Sequence, residues 1–193
     1  MRYLMLYLAG LLIIVGGAFA QNSPIDKGSF MLTGQASYTS LGGDLADELF
    51  GESMNLIIIN PGIGYFISEG FMIGGDVAIL SASWGEDEDV SFLGFGPTIG
   101  YYFNTGQTRT KIKGAFYPYI KGFFQMQSIS LYDADASNFM FGGKVGFDAM
   151  LTNSVAIDAG ITFSKLSFDP DGPAKSVSGN ILSIGAGLTQ FIL

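Results

Sequence analysis

The stretch FMFGGKVGFDAM, residues 139–150, decides whether this chain is helical or extended. Lys144 and Asp148 have the i, i+4 spacing of a helical pair, but they would also share one face of a strand. The three glycines of the stretch favour the strand, because each costs about 1 kcal/mol in a helix relative to alanine. The strand would place Phe139, Phe141, Gly143, Val145, Phe147, Ala149 and Leu151 on an apolar face, and Met140, Gly142, Lys144, Gly146, Asp148 and Met150 on the other.

Seven further segments alternate in the same way, within residues 29–38, 56–67, 71–83, 90–103, 116–128, 155–165 and 181–193. Eight alternating segments of about 10 residues are typical of a transmembrane β-barrel, whose tilted strands cross the bilayer at this length. The sequence therefore predicts an all-β fold, an eight-stranded antiparallel up-and-down transmembrane β-barrel. Gln190 interrupts the alternation of the last strand, so the phase of its end stays open.

The first residues predict secretion. MRYLMLYLAGLLIIVGGAFAQ, residues 1–21, carries a charged Arg2, an apolar core and an Ala18-Phe19-Ala20 site, which is the order of a cleavable signal peptide. A membrane anchor is the alternative, disfavoured because the apolar core is short for the roughly 20 residues of a spanning helix. We expect a signal peptide at residues 1–20 and a barrel domain at residues 21–193. Without cysteine, the chain has no disulfide and no lipoprotein anchor.

Composition narrows the class further. Removing Arg2 leaves eight basic and 17 acidic residues and a formal charge of −9, so we expect no nucleic-acid partner, which would require a basic surface. Only 13% of the residues are charged, against about 25% in soluble domains. Beyond the signal peptide the sequence has no run of 18 apolar residues, which disfavours a helical membrane protein.

A soluble secreted or periplasmic binding barrel would alternate too, with its polar face in water. Here the polar face is mostly glycine, serine, threonine and isolated charges, which suits a lumen better than a solvated surface. Aromatic residues near the strand ends suit the two membrane interfaces. They are Tyr38, Tyr65, Phe71, Trp84, Tyr101, Phe103, Phe116, Tyr117, Phe139 and Phe168.

Three prolines, Pro61, Pro97 and Pro118, fall in predicted strands. Each removes a hydrogen-bond donor from the sheet, and a closed barrel has no free edge at which a missing donor is harmless. We therefore expect β-bulges or strand ends at these positions.

The acidic stretches 85–89, 133–137 and 169–172 fall on connections that we predict to be outer loops, with both termini periplasmic. We interpret their carboxylates as solvated loop charge; Ca²⁺ binding is the alternative, although no EF-hand spacing is present. These residues are Glu86, Asp87, Glu88, Asp89, Asp133, Asp135, Asp169 and Asp171.

Enzyme chemistry has little support in the sequence. The chain has no histidine and no cysteine, which excludes a Ser-His-Asp triad, a cysteine nucleophile and a histidine metal site. No motif places a Ser–Lys pair or a pair of catalytic carboxylates. We expect no enzymatic activity, no cofactor and no metal.

The signal peptide, the eight strands rich in glycine and aromatic residues, and the acidic loops together resemble small outer-membrane β-barrel proteins. These are the OmpX-like and OmpA-transmembrane-like barrels, or porin family, of Gram-negative bacteria. The resemblance implies an outer-membrane location, contact with membrane lipid and lipopolysaccharide, and insertion by the outer-membrane assembly machinery. It gives no support for catalysis, because the hydrolases and acyltransferases among such barrels use histidine. We expect a monomer with a structural, surface-contact or ligand-recognition role and an unidentified extracellular ligand.

The charged residues of the polar face would point into the lumen. They are Asp76, Lys121, Lys144, Asp148 and Asp158. Because isolated buried charges are costly, we predict an ionic network of three carboxylates and two lysines that fills the lumen. An eight-stranded barrel has an interior just wide enough for side chains. The alternative function is a narrow channel with a wet, weakly cation-selective lumen, which inner-face glycines would keep open.

Overall fold

The structure, a computed structural model, describes residues 23–42, 54–84, 88–104, 112–131, 134–168 and 177–192. Strands account for most of these residues. They are β1 (Phe30–Gly42), β2 (Met54–Ser68), β3 (Phe71–Trp84), β4 (Glu88–Tyr102), β5 (Phe116–Leu131), β6 (Ala134–Met150), β7 (Val155–Phe168) and β8 (Val177–Ile192). A search of these ranges found no helix with the length and hydropathy needed to span a membrane.

The eight strands form one closed antiparallel barrel in chain order. Each strand pairs with the next, and β1 pairs with β8 from Phe30 opposite Ile192 to Gly42 opposite Asn180. Closure satisfies the backbone hydrogen bonds without leaving an edge strand, which is the condition for crossing a lipid bilayer. The predicted fold class is confirmed.

The two faces of the barrel follow the predicted alternation. Large apolar side chains such as Ile57, Phe163 and Ile184 are exposed on the outside, where lipid would cover them. In β8 the alternation continues to the end, because Leu188 is exposed while Thr189 and Phe191 are buried inside. Gln190 occupies an outer register position opposite Leu32, but it is buried and its amide donates to the Phe191 carbonyl oxygen at 3.2 Å.

The strands contain 13 to 17 residues, more than the predicted length of about 10. The alternation marks only the part of a strand that has an apolar face, whereas antiparallel pairing continues through polar residues beyond it. Glu88 and Asp89 therefore belong to β4, and Asp135 belongs to β6, so their assignment to outer loops was wrong. The other predicted loop acids lie outside the described residues, namely Glu86, Asp87, Asp133, Asp169 and Asp171.

The prolines interrupt pairing without shifting the register. Pro61 pairs opposite Gly34 in β1, while pairing with β3 passes from Ile59 directly to Gly62 at an unchanged register. The ladder between β4 and β5 likewise skips Pro97 and resumes in register. The prediction of bulges or strand ends at Pro61 and Pro97 was therefore wrong. Each proline lacks a backbone N–H toward one neighbouring strand, and the strand continues in register past it. Pro118 does lie near a strand end, as the third residue of β5.

The strand ends that meet at the β2–β3 turn form what we call the turn end of the barrel; the opposite end is the loop end. Gly70 in this turn has φ +73°, and a Cβ there would lie 2.5 Å from the Tyr102 carbonyl oxygen, so the position favours glycine. Aromatic rings surround the turn end on the outside, with Phe30 against Tyr65 at 4.7 Å between ring centroids. Tyr117 is buried inside, so its assignment to the interfacial aromatics was wrong.

Candidate functional site

An apolar cluster closes the turn end of the lumen. Residues 23–29, which we call the N-terminal segment, precede β1 and pack across this end, where Ile25 is 0% exposed. Gly70 N donates to the Ile25 carbonyl oxygen at 2.8 Å, and Gly28 N donates to the Phe66 carbonyl oxygen at 2.9 Å. Ile25 clusters with the inward-facing rings of Phe66, Tyr102 and Phe191.

Above this cluster, an ion pair between the adjacent strands β6 and β7 faces the lumen. Lys144 Nζ lies 3.1 Å from Asp158 Oδ1, with side-chain exposures of 14% and 2%. Gln35 Nε2 donates to the same oxygen at 2.8 Å, and Tyr119 Oη donates to Asp158 Oδ2 at 2.8 Å. Lys144 also donates to Gln35 Oε1 at 3.0 Å. Because these four residues come from β6, β7, β1 and β5, the group ties opposite walls of the barrel together; we call it the ion-pair layer.

Lys121 lies beside this layer without an anionic partner. It is 8% exposed, and within the described residues it forms no ion pair and no hydrogen bond through its ammonium group. Its Nζ lies 4.4 Å from the Tyr119 ring centroid and 5.3 Å from that of Tyr102, which are cation–π distances. Lys121 pairs directly opposite Lys144 in the β5–β6 register, so the two cations face the lumen side by side.

Asp148 lies toward the turn end and is 0% exposed. Neither of its carboxylate oxygens has a hydrogen-bond partner, and the neighbouring Thr189 Oγ1 has none either. Asp148 pairs directly opposite Asp158, so the two acids are placed together as the two lysines are. The register thus groups like charges on adjacent strands, and Lys144 reaches Asp158 rather than the Asp148 of its own strand.

Asp76 stands apart from the ion-pair layer. It accepts a hydrogen bond from Thr98 Oγ1 of the neighbouring strand. Its carboxylate leans over Gly62, where a Cβ would lie 2.1 Å from Asp76 Oδ1. All five predicted lumen residues therefore face inward, but the structure brings only Lys144 and Asp158 into an ion pair. Their action as one network that fills the lumen stays a prediction.

A cavity of about 100 Å³ remains on the loop side of the ion-pair layer; we call it the chamber. One water needs about 10–15 Å³ on this measure, so the chamber can hold several waters or one small solute. Both lysines, Asp76 and Asp158 line it, together with neutral polar side chains such as Gln125. The chamber is therefore polar and carries charges of both signs in equal number.

The inner-face glycines accommodate large side chains instead of leaving a pore. A Cβ on Gly160 would lie 2.9 Å from Tyr119 Oη, and one on Gly146 would lie 2.6 Å from the same atom. A Cβ on Gly185 would lie 2.8 Å from Gln35 Cδ. Contrary to the prediction, these glycines do not keep the lumen open, because the ion-pair layer occupies the space beside them.

The sequence did not single out Gln35, Tyr119 or Thr98 as site residues. The alternation places all three on the inner face, which was the available signal. Their contacts depend on the register between neighbouring strands, and no periodicity within one strand reports that register.

A closed eight-stranded barrel with an apolar exterior and a polar interior is a small transmembrane barrel of the outer-membrane class. Solved structures with this fold include three outer-membrane proteins. Neisserial surface protein A has a TM-score of 0.65 and 16% identity, and the match covers 85% of this chain and 99% of that one. OprG from Pseudomonas aeruginosa has a TM-score of 0.52 and 14% identity over 90% and 99% of the two chains. Ail from Yersinia pestis, in complex with the heparin analogue sucrose octasulfate, has a TM-score of 0.50 and 15% identity over 84% and 99%.

The family model of the outer membrane protein beta-barrel domain matches residues 6–189. The chain belongs to this family, and the outer membrane of a Gram-negative bacterium is its location. A comparison with curated proteins found no match.

Proposed function

We propose that this protein is a non-conducting outer-membrane barrel that acts in surface contact or ligand recognition. The observation that carries the proposal is that the ion-pair layer and the apolar cluster around Ile25 lie one after the other along the lumen. A solute that enters from the loop end meets both barriers before it reaches the turn end. We place the turn end in the periplasm, in keeping with short periplasmic turns in such barrels.

The nature of an outer ligand follows from charge. Ail is solved with a heparin analogue, a polyanion. The connections that we predict at the outside of the present protein are acidic, with Glu86, Asp87, Asp169 and Asp171 among them. Like charges would repel a sulfated glycan, so we propose a neutral or cationic surface ligand instead. We propose no enzymatic activity. We also propose that the protein contacts lipopolysaccharide, is inserted by the outer-membrane assembly machinery and is a monomer.

A narrow channel is the second candidate, and the chamber favours it because part of the lumen is unfilled. Single-channel recording in a planar bilayer separates the two functions. We expect the folded protein to give no conductance steps, while a general porin inserted into the same bilayer gives them. Reproducible steps from heat-modifiable, folded protein would reject the closed barrel and support the channel.

A further inference from the structure

We propose that Lys165 binds a phosphate group of the lipid anchor of lipopolysaccharide, at the level of the headgroups of the outer leaflet. This inference rests on the proposed function, in that it takes the loop end of the barrel to face the outside. It deepens the proposed lipopolysaccharide contact by naming the phosphorylated sugar headgroup and the residues that would bind it.

Lys165 places a positive charge on the surface that faces lipid. It lies on β7 in the same phase as Ile161 and Phe163, which are exposed on the outside of the barrel. Lys165 is exposed as well, and among the strand side chains that the structure describes it is the one charged group on the outer face. Within these residues it forms no ion pair, so its ammonium group is free to bind an anion from outside the chain.

The position of Lys165 along β7 matches the edge of the membrane. The strand begins at Val155 at the turn end, and Lys165 follows ten residues later. At about 3.3 Å per residue and a tilt of about 40°, this separation is about 25 Å along the barrel axis. The apolar band of such barrels is about 25 Å tall, which places Lys165 at the boundary between hydrocarbon and headgroups. Phe139 of β6 is exposed opposite Ser167 at this level, as expected for an interfacial aromatic residue.

Polar side chains beside Lys165 would complete a headgroup site. In the β7–β8 register Lys165 lies opposite Asn180, and the next outward pair toward the loop end is Ser167 opposite Ser178. Asn180 is exposed and the two serines are half-buried. Neighbouring strands are about 4.8 Å apart, so these groups lie within the width of one phosphorylated disaccharide. The ammonium, amide and hydroxyl groups can donate to phosphate oxygens, and the amide and hydroxyl oxygens can accept from sugar hydroxyls.

Apolar side chains next to Lys165 fit the acyl chains of the same lipid. Phe141 lies opposite Lys165 on β6, and Phe163 and Leu182 form the outward pair one step toward the turn end. All three side chains are exposed on the outside. A soluble anion would contact only the polar groups, whereas a lipid with a phosphorylated headgroup and acyl chains contacts both parts. We therefore assign the site to a lipid rather than to a free phosphate or a soluble glycan.

Native mass spectrometry of the folded mature protein in detergent micelles tests the proposal, with lipid A as the probe and phosphatidylglycerol for comparison. We expect lipid A to bind about tenfold more tightly, because phosphatidylglycerol carries a single phosphodiester charge and no sugar. Lys165→Met should weaken lipid A binding about tenfold, whereas Lys165→Arg should retain it. Lys113→Met, at an exposed lysine of the turn end, is the charge-matched control and should leave lipid A binding unchanged.

Three outcomes would overturn the inference. These are equal lipid A affinity in the wild type and Lys165→Met, an equal loss of affinity in Lys113→Met, or phosphatidylglycerol binding as tight as lipid A binding. Gel mobility verifies folding, and if Lys165→Met does not fold, the phosphatidylglycerol comparison on the wild type still decides. Binding in micelles requires neither an orientation nor a closed lumen, so its failure rejects only this inference. Conductance of the same preparation would instead reject the proposed function and leave the lipid site in place.

Discussion

Replacing the two lumen lysines with methionine should have unequal effects on stability. Lys144→Met removes the cation bound to Asp158 and leaves a carboxylate that is 2% exposed without its ion-pair partner. Breaking a buried pair in this way costs about 3–5 kcal/mol. Gln35 and Tyr119 still donate hydrogen bonds to Asp158, so we expect the low end, about 3 kcal/mol. The methionine retains most of the aliphatic length, which limits any loss of packing.

Lys121→Met should cost much less. It breaks no ion pair of the described residues, and it removes a cation that pairs opposite Lys144, although it also takes away one of the two lysines near the buried Asp148 carboxylate. The contacts with the Tyr119 and Tyr102 rings are lost, at about 0.5–2 kcal/mol each. Relief of lysine–lysine repulsion and of ammonium desolvation offsets this loss. We expect a net loss of at most about 2 kcal/mol, smaller than that of Lys144→Met.

Equilibrium unfolding in urea, with the protein in lipid vesicles and followed by tryptophan fluorescence and gel mobility, measures both variants. The Asp158→Asn variant completes a double-mutant cycle with Lys144→Met, and their coupling should account for most of the loss. Equal losses in the two lysine variants, or a Lys144→Met loss below about 1 kcal/mol, would refute the ion-pair layer as a stabilising element.

Three further predictions address the glycine positions, the N-terminal segment and the orientation. Gly160→Ala should destabilise the barrel by about 1–3 kcal/mol in urea unfolding, because the added Cβ would crowd Tyr119 Oη. Gly34→Ala is the control, because open space surrounds its Cβ and its stability should not change. Equal losses of stability in the two variants would contradict close packing around Gly160. Ile25→Ala should cost about 2 kcal/mol or more through the cavity that it leaves, and an unchanged urea midpoint would show that the N-terminal segment does not close the lumen. An epitope tag inserted after Asp87 should be labelled on intact cells, and labelling only after permeabilisation would invert the orientation.

Alternation along the sequence predicted the fold because each strand of a barrel has lipid on one face and the lumen on the other. Successive side chains point to opposite faces, so apolar and polar residues alternate. It therefore placed Lys144 and Asp148 inside correctly. It could not predict which charges meet, since Lys144 contacts Asp158 only through the relative register of β6 and β7. Sequence position also gave no sign that Ile25, which precedes the first strand, would fold back into the barrel end.

The alternation also could not predict the residues at which the strands end. Hydrogen bonding carries the β3–β4 and β5–β6 hairpins past their apolar faces into residues such as Glu88 and Asp135, which look like loop residues in one dimension. The prediction that inner-face glycines keep the lumen open failed for a similar reason. A glycine in the sequence indicates space beside the backbone, but it does not show which side chain fills that space. At Gly160 and Gly185 the filling groups, Tyr119 and Gln35, come from other strands.

The central claim, a lumen closed by the ion-pair layer and by the apolar cluster around Ile25, is most directly tested by cysteine labelling, since the chain has no native cysteine. Ser183 and Thr189 both face inward on β8, with Ser183 in the chamber and Thr189 beyond the layer on the turn side. With a membrane-impermeant thiol reagent added to intact cells, we predict labelling of Ser183→Cys and none of Thr189→Cys. Labelling of Thr189→Cys from outside, in a folded barrel, would contradict the account.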